Sequence, residues 1–263
     1  MSDTTDKKIV EAMSASHDLN TGVETSHRFA LLTVPRSGSW LLSKMMERTG
    51  LAGAPDEYLN IRNIRAYANI NSIKDVVIKS YLQELERRRT SANGTFGLKL
   101  HWDQFADVFS NKDKVIIQEG LDFLQEMDVL IRLYRRDKLS QAISNFIAMK
   151  TDEWMVTHDS NGQNSTRDVE VLFDPIAITN ELKWMVWQER MWIEFLQRHK
   201  LSYESICYEE LVADYEGESR RVLTLIGVDE SVPVPEQQLK RQANELNARL
   251  RSEYLCYLGL SDQ

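Results

Sequence analysis

Short runs of continuous apolar residues alternate along the chain with longer stretches that repeat their apolar residues at helical spacing. The runs predict four strands, because strands buried on both faces of a parallel sheet lack polar alternation. These strands cover residues 29–34, 96–102, 128–134 and 203–208. The longer stretches predict helices over residues 40–49, 72–90, 103–110, 137–150, 178–199, 209–226 and 236–257.

Alternating strands and helices predict an α/β fold, a central parallel sheet flanked by helices. Residues 1–26 are polar and predict a flexible N-terminal arm. Residues 27–263 contain no repeat and no linker and predict a single domain. Residues 152–175 are polar without a clear period, which is typical of a long loop that binds a ligand.

The composition narrows the class of protein. The chain has 263 residues and a formal net charge of −8. This negative charge argues against nucleic acid as a binding partner. Two cysteines do not make a disulfide framework, and no apolar run is long enough to be a transmembrane segment. The N-terminus has no secretion signal, so a cytoplasmic protein is predicted. The sequence does not determine the oligomeric state, and a homodimer is one of the possibilities.

The first strand leads into a turn of small residues, 35–39, and then into a helix. This order directs backbone N–H groups and a helix N-terminus at an anion, and Gly38 lets the anion approach the backbone. Arg36, Ser37 and Ser39 can bind phosphate or sulfate oxygens. The turn lacks the Gly-Lys pair of the triphosphate loop of kinases and ATPases. The structural alternative is a turn whose serines only cap the helix.

Four segments, taken in order, resemble the bacterial carbohydrate sulfotransferases of the trehalose 2-sulfotransferase type, over about residues 28–255. The segments are 35–39 (PRSGS), 53–58 (GAPDEY), 97–104 (GLKLHWDQ) and 136–144 (RDKLSQAIS). The resemblance implies the P-loop-like sulfotransferase fold. It also implies transfer of a sulfuryl group from 3′-phosphoadenosine-5′-phosphosulfate (PAPS) to a hydroxyl of a small-molecule carbohydrate or a glycoconjugate. The desulfated nucleotide PAP is then the product, and no metal ion is required.

The same resemblance assigns nucleotide binding to individual residues. They lie in the turn, near the C-terminus, and in the fourth segment, where an arginine and a serine eight positions apart have the spacing that binds the 3′-phosphate in sulfotransferases. The residues are Arg36, Ser37, Gly38, Ser39, Trp40, Arg136, Ser144 and Arg241. Arg135 is a weaker candidate than its neighbour Arg136. The family usually has threonine where this chain has Trp40, so one hydroxyl is missing from the turn.

Two residues compete as the general base that takes the proton of the acceptor hydroxyl. Glu57 lies in the segment that resembles the trehalose-type enzymes, in which a glutamate has this role. His101 follows Lys99 in the Lys-x-His spacing of the wider cytosolic sulfotransferases, whose histidine is the base. Both residue types serve as general bases, and the sequence does not decide between them. The resemblance favours Glu57, because its segment belongs to the more similar family. His101 would then orient the acceptor hydroxyl or be a core histidine. Arg36 and Lys99 would stabilise the negative charge that grows on the leaving phosphate.

Two other functions remain open at this stage. A protein that binds a nucleotide on the same fold without catalysis is consistent with the hydroxyl missing at Trp40. A small-molecule kinase is consistent with the topology, although the missing Gly-Lys pair and magnesium ligands argue against it.

Overall fold

A sheet of four parallel strands, in the order β2-β1-β3-β4, forms the centre of the molecule. The computed structural model describes residues 13–19, 21–154, 170–237 and 245–260. The strands are β1 (His27–Thr33), β2 (Thr95–His101), β3 (Val129–Tyr134) and β4 (Glu204–Cys207). The parallel pairing of all neighbours confirms the predicted α/β fold class.

Helices fill the connections between the strands. In chain order they are α1 (Ser39–Arg48), α2 (Ile61–Ile70), α3 (Ile78–Arg89), α4 (Trp102–Phe109), α5 (Gln118–Gln125), α6 (Lys138–Thr151), α7 (Pro175–Arg198), α8 (Tyr208–Ala213), α9 (Tyr215–Leu225) and α10 (Glu245–Tyr257). A short 3₁₀ turn at Ala15–His17 precedes them. Within the part of the chain that the structure describes, no helix is long and apolar enough to cross a membrane.

Side-chain caps explain several differences from the predicted helices. Asn60 accepts a hydrogen bond from the backbone N–H of Arg62 (3.0 Å) and starts α2, where no element was predicted. Asp214 accepts one from Gly217 (3.0 Å), which divides the predicted helix 209–226 into α8 and α9.

Three further differences concern the presence or the ends of helices. The predicted helix 72–90 begins only at Ile78, and α5 was not predicted at all. Residues 236 and 237 of the predicted helix 236–257 are not helical, residues 238–244 lie outside the described residues, and α10 begins at Glu245.

Alternate residues of β1 pack on opposite faces of the sheet, and helices cover both faces. Phe29 and Leu31 pack with α1 and α9 on one face. Ala30 and Leu32 pack with α4 and α7 on the other. All four side chains are fully buried. This double burial is the reason that the strand has a continuous apolar run.

The described part of the N-terminal segment packs against α3. Met13 is buried, and Asp18 pairs with Arg88 (2.7 Å) and Arg89 (3.2 Å) of that helix. Residues 1–12 lie outside the described residues. The division into an arm over 1–26 and a domain over 27–263 therefore stays a prediction.

The carboxyl end of β1 lies between β2 and β3, where ligands bind in open α/β sheets. Thr33 is aligned with His101, the last residue of β2. Trp192 of α7 donates a hydrogen bond from Nε1 to the carbonyl oxygen of Thr33 (3.1 Å). Gln141 of α6 donates one to the carbonyl oxygen of Pro35 (2.8 Å). The two helices thus fix the backbone on which the turn is built.

We expect Trp192→Phe to lower the free energy of unfolding by about 2 kcal/mol, because it removes packed volume and leaves the buried Thr33 carbonyl without its donor. Trp187→Phe on the same helix is the control, since Trp187 is 47% exposed. For the control we expect a change below about 0.5 kcal/mol. Urea unfolding followed by circular dichroism measures both variants. Equal losses would contradict a structural role for the Trp192 bond.

Candidate active site

The turn between β1 and α1 has the backbone of an anion-binding loop. Arg36 and Gly38 both have positive φ (63° and 89°), and the N-terminal N–H groups of α1 follow directly. Such groups have no acceptor within their own helix. A Cβ on Gly38 would lie 2.3 Å from the ring of Tyr208, so a larger residue does not fit. Ser37 is buried, and its hydroxyl hydrogen-bonds that of Thr33.

The first two residues of α1, Ser39 and Trp40, connect this loop to the neighbouring strand. Ser39 is buried. The Trp40 ring covers the ammonium group of Lys99 in β2, with 4.0 Å between Nζ and the ring centre. That distance allows a cation–π interaction. The residue that departs from the family pattern therefore contacts a predicted catalytic lysine.

The side chain of Arg36 extends to α6. Its Nε donates to Oγ of Ser144 (3.0 Å), and its Nη1 donates to the carbonyl oxygen of Trp154 (2.6 Å). Burial, together with the charge of Arg135, lowers the pKa of Arg36 to about 10. The guanidinium is therefore still charged at neutral pH. The structure thus pairs Ser144 with Arg36, whereas the sequence pattern paired it with Arg136.

The two arginines that follow β3 have different surroundings. The guanidinium of Arg135 lies 4.9 Å from the ring centre of Tyr208, and its Nη1 lies 3.5 Å from the carbonyl oxygen of Arg36. The Arg135 side chain is only 12% exposed. The side chain of Arg136 is 56% exposed and donates to Glu210 (3.0 Å). Arg135 therefore lies against the loop, with its Nε 3.9 Å from Oε1 of Glu209. The more exposed Arg136 faces both Glu209 and Glu210, which follow β4.

A second group of polar side chains surrounds Glu57. Lys99 is fully buried, and its Nζ lies 3.0 Å from Oε1 of Glu57. Gln104 of α4 donates from Nε2 to Oε2 of Glu57 (2.7 Å). Nε2 of His101 lies 3.9 Å from Oε1. We call these four residues the Glu57 cluster, and the contact of Trp40 with Lys99 joins the cluster to the loop.

Backbone contacts with β2 determine where Glu57 lies. The N–H of Lys99 donates to the carbonyl oxygen of Asp56 (2.9 Å), so the segment before Glu57 runs beside the strand. Asn63 donates to the carbonyl oxygen of Glu57 (2.8 Å) from the first turns of α2. Both bonds fix the main chain, and the carboxylate is bound by the Glu57 cluster and by Asn60, which donates to Oε2 (3.3 Å).

The electrostatics of the Glu57 cluster separate the two candidate bases. Burial alone would raise the pKa of Glu57, but the charges of Lys99 and His101 and the hydrogen bonds of Lys99 and Gln104 outweigh it. They hold the pKa of this carboxyl well below its usual range. Burial lowers the pKa of His101 against the opposing charge of Glu57. At neutral pH the site therefore holds a carboxylate beside a neutral imidazole.

Most residues named from the sequence lie in these two groups. Arg136 is turned away from both, and Arg241 lies outside the described residues. Sequence reasoning missed Tyr208 and Gln104 and ranked Arg135 below its neighbour. Gln104 stands in the third family-like segment, but a glutamine alone does not signal a bond to a carboxylate 47 positions earlier.

Comparisons with known proteins relate most of the chain to sulfotransferases. The family model "Stf0 sulphotransferase" matches residues 28–254. A trehalose 2-sulfotransferase of Mycobacterium tuberculosis (strain ATCC 35801 / TMC 107 / Erdman) is 26% identical over 246 residues, which cover 82% of this chain and 90% of that protein. A trehalose 2-sulfotransferase of Mycolicibacterium smegmatis is 24% identical over 260 residues, covering 86% and 94%. A sulfotransferase crystal structure from Alicyclobacillus acidocaldarius has a TM-score of 0.46 at 12% identity, covering 91% of this chain and 98% of that one.

We expect Lys99→Met to lower the free energy of unfolding at neutral pH by about 3 kcal/mol, because the Glu57 charge loses its buried partner. The difference from the parent protein should shrink toward about pH 4, where Glu57 of the variant takes up a proton in the folded state and regains stability. Urea unfolding at several pH values measures this effect.

Lys44→Met is the matched control for this experiment. Lys44 also lies near the Trp40 ring, but it pairs with Glu47 at 43% side-chain exposure. Exposed pairs contribute about 0–1 kcal/mol. A loss for Lys99→Met that is no larger than the loss for Lys44→Met would show that the buried pair does not stabilise the fold.

Proposed function

Because the chain belongs to the Stf0 sulphotransferase family, we propose that it transfers a sulfuryl group from PAPS to a hydroxyl group of a carbohydrate. The observation that carries the proposal is the contact of Trp40 with Lys99, which places the anion-binding loop beside the Glu57 cluster. A sulfuryl transfer needs an anion site for the donor and a base for the acceptor at one place. The relatives named trehalose 2-sulfotransferase make trehalose the first acceptor to test.

The residues of the loop suit the phosphosulfate end of PAPS. Gly38 has a positive φ and lets the Tyr208 ring pack against the turn, and the N-terminus of α1 favours negative charge there. Ser37 and Ser39 belong to the same turn, and Arg36 remains charged at neutral pH. Lys99 adds a fixed positive charge beside the loop. Such charges stabilise the negative charge on the departing phosphate more than they stabilise the bound donor.

For the 3′-phosphate of the donor we propose Arg135 in place of Arg136. Arg135 lies against the loop through its contacts with Tyr208 and with the carbonyl oxygen of Arg36. Arg136 donates its backbone N–H to Glu209 (3.0 Å) and its guanidinium to Glu210. It would have to leave Glu210 to contact a nucleotide. Roles for Arg136 and Arg241 in binding stay predictions.

We propose Glu57 as the general base. Its side chain is 17% exposed, so an acceptor can reach a carboxylate that is already ionised. A carboxylate with a lowered pKa is a weak base. It therefore takes the hydroxyl proton late in the reaction, when the bond from the acceptor oxygen to sulfur is largely formed. The bond from the acceptor oxygen to sulfur forms as the bond from sulfur to the 5′-phosphate oxygen breaks. The hydroxyl proton passes to Glu57, and PAP leaves. Transfer without a metal ion, a homodimer and a cytoplasmic location stay predictions.

We expect PAP to bind the protein in calorimetric titration, and ATP with magnesium not to bind. Arg135→Met should weaken PAP binding at least about tenfold, because a charge-assisted bond to phosphate is lost. Arg136→Met is the matched control at the adjacent position and should weaken binding by less than about threefold. A larger loss at Arg136 would contradict the assignment of Arg135. Absence of PAP binding by the parent protein would contradict the proposed donor.

Glu57→Gln should lower kcat for sulfuryl transfer by about 10²–10⁴-fold while PAP still binds, because the acceptor hydroxyl loses its base. Glu47→Gln, which changes a half-buried carboxylate of α1 outside the Glu57 cluster, is the control and should keep kcat near that of the parent. Mass spectrometry of the sulfated sugar measures transfer from PAPS to trehalose and a panel of other sugars. PAP binding without transfer to any of them would favour a non-catalytic nucleotide-binding protein instead.

A further inference from the structure

The neighbours of Gln104 fix the orientation of its amide group. Its Nε2 lies 2.7 Å from Oε2 of the ionised Glu57, which can only accept a hydrogen bond. Its Oε1 lies 3.4 Å from the backbone nitrogen of His101, which can only donate. Exchanging the amide oxygen and nitrogen would put acceptor against acceptor and donor against donor. The hydrogen-bond network therefore determines this orientation.

The same amide nitrogen also faces the imidazole ring of His101. Nε2 of Gln104 lies 3.3 Å from Nδ1 of His101. Because the amide nitrogen donates, Nδ1 must accept and carries no proton in the neutral ring. The proton of the neutral imidazole is then on Nε2.

That second ring nitrogen lies near the carboxylate of the proposed base. Nε2 of His101 is buried and has no hydrogen-bond partner among the residues that the structure describes. It lies 3.9 Å from Oε1 of Glu57. An Nε2–H group at this position can donate a hydrogen bond to an acceptor oxygen, but it cannot take up a proton there.

We propose that Gln104 assigns the roles of the two candidate bases, holding His101 as a hydrogen-bond donor at Nε2 and leaving Glu57 as the base. The inference rests on the proposed function. The acceptor oxygen accepts from His101 through one lone pair and forms the bond to sulfur through the other, while its proton passes to Glu57. Gln104 is a positioning residue, because it acts through His101 and Glu57.

The charged groups around His101 maintain the neutral ring that this role requires. Glu57 from the loop beside β2 and Asp103 from α4 favour protonation of the imidazole, and Lys99 from β2 opposes it. Burial of the ring outweighs the two carboxylates, so the pKa of His101 is lowered. The neutral ring therefore prevails at neutral pH, and its tautomer is decided by Gln104.

The tautomer can be measured on the ligand-free protein by the ¹⁵N chemical shifts of the imidazole nitrogens. His101→Gln identifies the signal among the five histidines. We expect a protonated Nε2 and an unprotonated Nδ1 in the parent protein, and a shift toward the tautomer protonated at Nδ1 in Gln104→Met, where only the backbone N–H of residue 104 still donates to the ring. A proton on Nδ1 in the parent protein, or unchanged shifts in Gln104→Met, would overturn the inference. The parent spectrum decides the tautomer even if Gln104→Met fails to fold.

Kinetics of two substitutions distinguish a donor from a base. His101→Gln keeps an N–H group near the position of Nε2 but cannot take up a proton, and His101→Leu keeps neither property. We expect kcat to fall by less than about tenfold in His101→Gln and by about 10–100-fold in His101→Leu. A loss of about 10²–10⁴-fold in both variants, equal to that of Glu57→Gln, would identify His101 as the base and overturn the inference.

The two proposals fail in different ways. If the parent protein binds no PAP, the proposed function fails whichever nitrogen of His101 carries the proton. If PAP binds and sulfuryl transfer occurs while Nδ1 carries the proton, the proposed function stands and the role of Gln104 is wrong.

Discussion

The pairing of Lys99 with Glu57 is the interaction on which the candidate site depends. Lys99 brings a positive charge into a fully buried position of β2, where an unpaired charge costs several kcal/mol. The carboxylate of Glu57 supplies the partner, and the Trp40 ring covers the ammonium group from the side of the loop. The position of the proposed base therefore follows from the need to neutralise a buried charge, and the same charge keeps that base ionised.

The anion-binding loop is constrained from the other side by α6 and α7. Gln141 and Trp192 bind carbonyl oxygens immediately before the turn, and the side chain of Arg36 reaches Ser144. These contacts come from helices far away in the sequence, so the loop does not hold its shape by local geometry alone. A rigid loop suits a reaction in which fixed charges must meet negative charge as it develops, since no reorganisation is then needed.

Trp40 connects the anion-binding loop with the Glu57 cluster. The family pattern has threonine at this position, and its loss removes a hydroxyl that would face the donor. In return, the indole ring contacts Lys99 and lies between the loop and the Glu57 cluster. Trp40 therefore changes the surroundings of the buried Lys99. We expect this tryptophan to affect the positive charge beside the leaving phosphate as well as the affinity for the nucleotide.

The sequence by itself determined the features that depend on local pattern. Apolar runs identified all four strands, and the run is continuous in β1, which is buried on both faces. The spacing of Arg36, Gly38 and Glu57 in family-like segments identified the loop and one base candidate. The helices α2 and α5 were not predicted, and the start of α2 depends on the side-chain cap of Asn60 more than on a long apolar period.

Only the tertiary structure decided how side chains from separate elements meet. Arg135 and Arg136 are adjacent in the sequence, yet one packs on Tyr208 and the other pairs with Glu210, because their side chains leave the chain in different directions. Gln104 likewise acquires its role from the approach of Glu57 to the end of β2. Such contacts depend on the relative placement of strands and loops, which spacing along one chain does not encode.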